Sequence, residues 1–514
     1  MPNLAPVLPR QKSSPPVPAV RGPAPVPPRQ GRLAQRSLFA LFNVAIVLML
    51  GIGLVSNDDT PPGPACFVLL LAFVCSSPLL LARSFKGRFA LGIVFLMTYF
   101  FIFALQDLHG VLIGVPVALA SRGRLFTAGE LVILISAVAF LLGYLCSLGL
   151  FSAARTGVCR REWSTPAIRG LGIAFWLFGF TSVYFVQTDF KLIITHPILN
   201  QFSGLISLLR LLNPIGALMI AYLHITKRQR FALPLFLFFC LMDFFLGFYG
   251  DTKEQAFRDP ILYLFARYLL GGRIPLGVAT LVLVMTPLPF SFFAEFRDAL
   301  HTERLSRWNA TAEVAGSMLL SLGSFPEFEK RYAGGLQYLA ERTSLKPSVE
   351  VILSKTGVAV PFQNGKTIEV IAYALIPRNF LPDKPDSTVG RTFNRAFHIS
   401  ADPDTYISPS QNGELYWNYG WPGVLFGMLL IGALVGFTNC QVNLERFTTL
   451  PRLLILLMSV YLVCLHFEDG IAVTYTYWLR IVLLLLLVDL MVPKVPQAGT
   501  VPDARQRAGR GLGR

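Results

Sequence analysis

The sequence predicts an all-α polytopic membrane protein, with about 12 transmembrane helices and one large extracytoplasmic loop of helices and irregular segments. Three observations carry that prediction. Of 514 residues, 54% are hydrophobic and 14% charged, and the mean hydropathy is +0.56. Soluble domains carry roughly 25% charged residues. Apolar runs of about 17–20 residues, the span of a bilayer core, recur along the chain. One long polar stretch, from Arg297 to Gly420, interrupts them.

Residues 1–36 are rich in Pro and basic residues and lack the apolar core of a signal peptide. They read as a disordered cytoplasmic tail. Residues 37–293 hold nine apolar runs, at 37–55, 65–82, 89–106, 129–150, 170–187, 204–223, 231–248, 257–272 and 274–293. The eighth is short, and Pro287 and Pro289 should bend the ninth. Residues 294–420 form the large loop. Runs at 421–440, 452–468 and 474–492 fill 421–492, and a basic cytoplasmic tail occupies 493–514.

Lys and Arg set the orientation. Arg83, Lys86 and Arg88, then Arg155, Arg160, Arg161 and Arg169, then Lys227, Arg228 and Arg230 lie in alternate connections. Arg446, Arg452 and the basic tail continue the series, and the opposite short connections are poorer in cations. This positive-inside pattern puts both termini in the cytoplasm and the large loop outside. The net charge of +16 is therefore assigned to orientation and not to nucleic acid.

From Arg297 to Gly420 there are 13 Lys or Arg and 13 Asp or Glu, so the loop is neutral and no general sink for polyanions. Ala310–Leu322 and Glu327–Thr343 read as helices, with apolar faces for the membrane surface. Lys346–Gly413 is dense in Pro, Gly, Asn and Asp and reads as irregular. The seven cysteines have no CxxC spacing, none lies in the loop, and no metal-ligand motif occurs.

Four groups of residues carry possible chemistry. Arg210, Asp243, Arg480 and Asp489 are ions inside apolar runs. A charge at the bilayer centre costs roughly 3 kcal/mol on insertion scales, so it pairs or faces a cavity. Asp243 reads either as half of a structural pair, with Arg210 its partner, or as a functional acid. Asp489 reads as interfacial, and Arg267 as snorkelling to the surface. The turn Gly250–Glu254 sets Lys253 at a membrane edge, either to hold a phosphate or as a solvated turn. In the loop, Arg378 and Lys384 are bracketed by Pro377, Pro382 and Pro385, so two cations are held with little entropy left to lose on binding an anion. The same pattern also reads as a rigid surface turn. His398 reads as a polar surface residue. Last, Glu414 lies among Gly413, Tyr416, Trp417 and Asn418, directly before an apolar run. That setting suits sugar binding or general-base work. The aromatics there, Trp417, Tyr419 and Trp421, also suit an interface belt.

With these motifs the chain resembles the Wzy-type O-antigen and exopolysaccharide repeat-unit polymerases of bacteria. The residues that carry the resemblance are Gly250–Glu254 before a short run, Ile376-Pro377-Arg378 with Asp383-Lys384-Pro385, and Gly413-Glu414-Leu415-Tyr416 with Asn418, Gly420 and Gly423. The likeness spans about residues 37–490 and is concentrated between about 250 and 430. It implies an enzyme of the bacterial inner membrane, without a cofactor, acting on a lipid-linked oligosaccharide. A flippase and a chain-length regulator of the same pathway are its implied partners. The sugar C1 of one unit leaves undecaprenyl diphosphate and is attacked by a hydroxyl of a second unit. Arg378, Arg210, Lys253, Lys384 and Arg480 are then expected at the diphosphate, Glu414 at the attacking hydroxyl, and Tyr416 and Asn418 at the sugars. An O-antigen ligase shares this chemistry with a lipid A-core acceptor. A non-enzymatic flippase or transporter has less use for so large an outer loop.

Overall fold

The computed structural model describes residues 28–56, 62–81, 90–113, 126–151, 159–188, 202–249, 253–270, 287–301, 307–321, 323–373, 375–376, 380–381, 389–403, 405–442 and 449–495. Every regular element among them is a helix. In order they are α1 (Pro28–Ser56), α2 (Pro62–Ser76), α3 (Pro78–Leu81), α4 (Ala90–Ile113), α5 (Ala128–Phe151), α6 (Thr165–Thr188), α7 (Ser203–Arg210), α8 (Leu212–Lys227) and α9 (Ala232–Tyr249). Then come α10 (Lys253–Leu269), α11 (Pro287–His301), α12 (Arg307–Ser321), α13 (Phe325–Thr343), α14 (Lys346–Lys355), α15 (Val389–Phe397), α16 (Gln411–Val442), α17 (Leu450–Ser459, continued as a π-turn to Leu465) and α18 (Ile471–Met491).

Among the described residues, 8 stretches are long and apolar enough to cross a bilayer, and Ala232–Gly247 and Leu450–Leu465 are shorter apolar helices. These coincide with all the expected runs except the eighth and ninth. The eighth is covered by α10, which carries Lys253, Glu254, Arg258, Asp259 and Arg267 and is too polar for that class. Most of the ninth, 271–286, lies outside the described residues.

Aromatic packing and close backbone approach build the centre of the bundle. Phe95 of α4 stacks on Phe140 of α5 at 3.9 Å, and Phe467 meets Phe95, Tyr99 and Phe103 edge-on. Gly143 and Gly432 let α5 and α16 touch backbone to backbone: a side chain at either would run into a carbonyl of the other helix. Small residues serve this purpose between membrane helices, where van der Waals contact replaces the hydrophobic drive.

The two expected loop helices are present as α12 and α13. The stretch expected to be irregular is not so throughout. It contains α14, a 3-10 turn at Glu369–Ile371, and α15. Pro347 sits in the first turn of α14, where its fixed φ favours a helix. Val389, Phe393 and Phe397 recur every fourth residue and give α15 a buried face. That face packs on Trp417, with ring centroids at 5.9 and 5.2 Å. Trp417 is thus a core residue and not part of an interface belt, whereas Tyr419 and Trp421 are 49% and 41% exposed.

The start of α14 is tied to the transmembrane bundle by charge. Lys346 Nζ donates to both oxygens of Asp107 on α4, at 3.0 and 2.8 Å, and to Glu130 on α5, at 2.7 Å. All three side chains are at most 4% exposed. Thr127 adds a hydrogen bond to Glu350 of α14. Burial opposes the charge on Lys346, but the two carboxylates more than offset it, and its pKa is raised.

The opposite end of the bundle is also tied. Asp489 is buried there and accepts a hydrogen bond from Trp163 Nε1 at 2.8 Å, with Lys494 at 3.4 Å. It is an acid partnered within the protein.

Candidate functional site

A bend in α16 creates the site. Its 32 residues would span about 48 Å if straight, more than a bilayer core of about 30 Å. At Gly420, φ is 64° and ψ −149°, a region open essentially to glycine alone. The bend separates 411–419 from 421–442 and frees carbonyls that a continuous helix would use. The preceding segment takes them up: Gln363 N–H donates to the Trp417 carbonyl at 3.0 Å, and Asn364 N–H to the Asn418 carbonyl at 3.2 Å. Gly365 N–H donates to Asn418 Oδ1 at 2.9 Å.

This docking carries Thr367 to Glu414. The Thr367 hydroxyl donates to Glu414 Oε1 at 2.6 Å and accepts from Asn418 Nδ2 at 2.7 Å. On the other side, Ile471 N–H, at the N-terminus of α18, donates to Glu414 Oε2 at 2.6 Å. A helix N-terminus favours negative charge at that position. Gly470 is required there for space, since a Cβ would stand 2.7 Å from Oε2. Glu414 is 0% exposed, enclosed by the protein. Among the described residues no cation pairs with it. The Thr367 and Ile471 donors occupy two of the about four acceptor positions of the carboxylate, which retains capacity to accept another donor.

Beside Glu414 opens an apolar groove of about 710 Å³ between α16 and α18. Pro422, Phe426, Leu430 and Leu434 form one wall, and Ile471, Tyr475 and Trp478 the other. Ile368 and Ile371 also line it. From Tyr419 to Leu434 the wall runs about 22 Å along the helix. Leu415, next to Glu414, and Ile471, bonded to it, both line the groove. The Tyr475 hydroxyl and both amide atoms of Gln411, one turn before Glu414, are buried without a hydrogen-bond partner. Orphaned polar groups of this kind mark places where a further polar group is accommodated.

The candidate residues divide as follows. Glu414 and Asn418 meet, through Thr367. Tyr416 turns aside, edge-on to Trp421 at 5.9 Å and near Phe362. Arg210 closes α7 and Arg480 lies mid-way along α18; both are half-buried, and α7 packs against α18. Lys253 opens α10, but its side chain lies outside the described residues, as do Arg378 and Lys384 entirely. His398 is exposed.

Asp243 does not pair with Arg210. It accepts hydrogen bonds from Trp176 Nε1 at 3.0 Å and Asn213 Nδ2 at 2.9 Å, and its cation is Arg258, at 4.0 Å. Residue spacing hid this, because Arg258 sits in the polar α10, past the turn that follows α9.

Comparison with family models, with characterised proteins and with solved structures returned no match.

Proposed function

We propose that this chain is a Wzy-type polymerase, joining oligosaccharide repeat units carried on undecaprenyl diphosphate at the outer face of a bacterial inner membrane. One observation carries the reading most: a buried carboxylate, oriented by a hydroxyl and a helix N-terminus, adjoins a long apolar groove within membrane-spanning helices. A polyprenyl chain suits the groove, and its diphosphate and sugar then lie near Glu414. In the reaction the acceptor hydroxyl oxygen bonds to the donor sugar C1. The C1–oxygen bond to diphosphate breaks, and the diphosphate departs with the electron pair. Glu414 takes the hydroxyl proton. Arg378, Lys384, Arg210, Lys253 and Arg480 are assigned to the departing charge, where a positioned cation contributes a few kcal/mol. The motifs quoted above and the neutral, folded polar segment support the same reading. The flippase and chain-length regulator of the pathway are its proposed partners.

Purified protein given only the lipid-linked repeat unit should yield a ladder spaced by one repeat, with no nucleotide sugar present. Glu414→Gln should suppress the ladder while lipid binding persists. A ladder that requires a nucleotide sugar would sink the proposal. Transfer of one glycan to lipid A-core without a ladder would select a ligase instead.

A further inference from the structure

A second buried ionic cluster lies between α8, α9 and α10, and the transfer reaction proposed above makes no use of it. Arg258 Nε donates to Asp259 Oδ1 at 2.8 Å. The same guanidinium hydrogen-bonds Asn213 Oδ1 and lies 4.0 Å from Asp243 Oδ2. Arg258, Asp243 and Asp259 are 6%, 2% and 1% exposed. The groups facing the cluster from neighbouring elements are Trp176 of α6, Cys240 one turn earlier on α9, and the Tyr461 ring, 5.7 Å from the guanidinium. Among the described residues none of them supplies a positive charge.

The charges do not balance. Among the described residues, two ionised carboxylates against one guanidinium leave a net −1 in the interior of the bundle. The Lys346 cluster has the same count, but all four carboxylate oxygens of Asp107 and Glu130 are hydrogen-bonded there. Here Asp259 Oδ2 is buried with no partner. The Asp243 and Asp259 carboxyl groups lie against the same guanidinium, at 4.0 and 2.8 Å. Two ionised carboxylates repel at that range, and neither has a proton to donate. An uncompensated charge in such a place is strongly destabilising.

We propose that Asp243 and Asp259 form an intramembrane proton-binding site that holds one proton per chain. The proton comes from water and resides on Asp259 Oδ2, the orphaned atom, donating toward Asp243. One carboxylate becomes a neutral acid, the cluster falls to net zero, and every oxygen gains a partner. Arg258 and Asn213 keep the two acids together, and Trp176 fixes Asp243. The site stands independently of the polymerase reading.

Infrared difference spectroscopy on the full chain in lipid nanodiscs tests it. At neutral pH the wild type should show a protonated-carboxyl band that shifts in D2O, worth one carboxyl per chain. Asp259→Asn and Asp243→Asn should each remove it. Asparagine mimics the neutral acid, so Asp259→Asn should fold with a thermal midpoint at least that of the wild type. If a variant fails to fold, the wild type alone decides, by releasing one proton per chain as that band is lost on raising the pH. Exchange of Na⁺ for K⁺ should leave the band unchanged. A band that neither variant removes, or no such band at neutral pH, would overturn the site. A band abolished by Na⁺ would assign the cluster to a metal cation and overturn the proton.

Discussion

Glu414 depends on two donors, and the surroundings of each can be altered singly. Thr367→Val deletes the hydroxyl and leaves Glu414 Oε1 without its donor inside the protein. An unsatisfied buried acceptor costs about 1–3 kcal/mol. Thermal unfolding in detergent should show that loss, and Thr367→Ser should restore most of it. Gly470→Ala acts differently. It leaves the donors in place and pushes on Oε2 from 2.7 Å. Ladder synthesis should fall at least about tenfold, the consequence of a small misplacement at a reacting group. Unchanged turnover in Gly470→Ala would place the chemistry elsewhere. Glu414 and Asn418 were readable from sequence because their surroundings, Gly-Glu-Leu-Tyr before an apolar run, are unusual. Thr367 was not, since it comes from 47 residues earlier, and only the bend at Gly420 creates the open carbonyls that bring it in.

Among the elements, α14 has the most specific attachment. Lys346→Met removes the only cation bonded to Asp107 and Glu130 among the described residues. Breaking a buried pair on one side costs about 3–5 kcal/mol, because the remaining charge is left unpaired. The triple change Lys346→Met, Asp107→Asn, Glu130→Gln should recover much of it. Thermal midpoints in detergent would distinguish the two; equal losses would mean that packing of α14, not charge, provides the attachment. The pH dependence has a definite sign. The Lys346 pKa lies above its ordinary 10.5, so its contribution is fully present below that pH and is lost only as pH rises through the raised value. α14 was missed from sequence because its ten residues lie in a stretch rich in Pro, Gly and Asn that reads as loop. The signal was there in another form. Asp107 and Glu130 stand where the third run ends and the fourth begins, and an acidic pair there requires a cation from outside the two runs.

At the scale of the whole molecule, these contacts divide the bundle into two ends. Lys346, Glu414 and the start of α18 gather at the end where α4 finishes and α5 begins. Trp163, Asp489 and Lys494 gather where α5 has finished and α18 ends. The apolar helices were legible because their period and length are fixed by the bilayer. The eighth run was less so, because α10 buries Arg258 and Asp259 against other helices and so reads as a faltering span. The Lys346 contacts bypass that ambiguity by tying the polar segment to helices whose order is unambiguous. With the positive-inside asymmetry, the Lys346 end is expected to face outward. In a cysteine-free background, an impermeant maleimide should label Ser354→Cys in intact spheroplasts and leave Arg230→Cys unlabelled until the membrane is permeabilised. The opposite pattern would invert the whole arrangement.

The wall of the groove along α16 includes Phe426 and Leu430, 67% and 68% exposed, so the groove opens sideways rather than toward water. A chain lying in it remains continuous with the surrounding hydrocarbon. Under the proposed function, substrate and product would come and go by lateral diffusion in the plane of the membrane, without a lid having to move. The quantity that governs occupancy is the fraction of carrier among neighbouring lipids, not its amount per volume of solution. Diluting vesicles with buffer should leave each protein's supply intact, whereas diluting the carrier with inert lipid starves it. On the same proposal, a growing polymer held by such a groove would keep its tail in the bilayer throughout, and successive additions would become encounters in two dimensions.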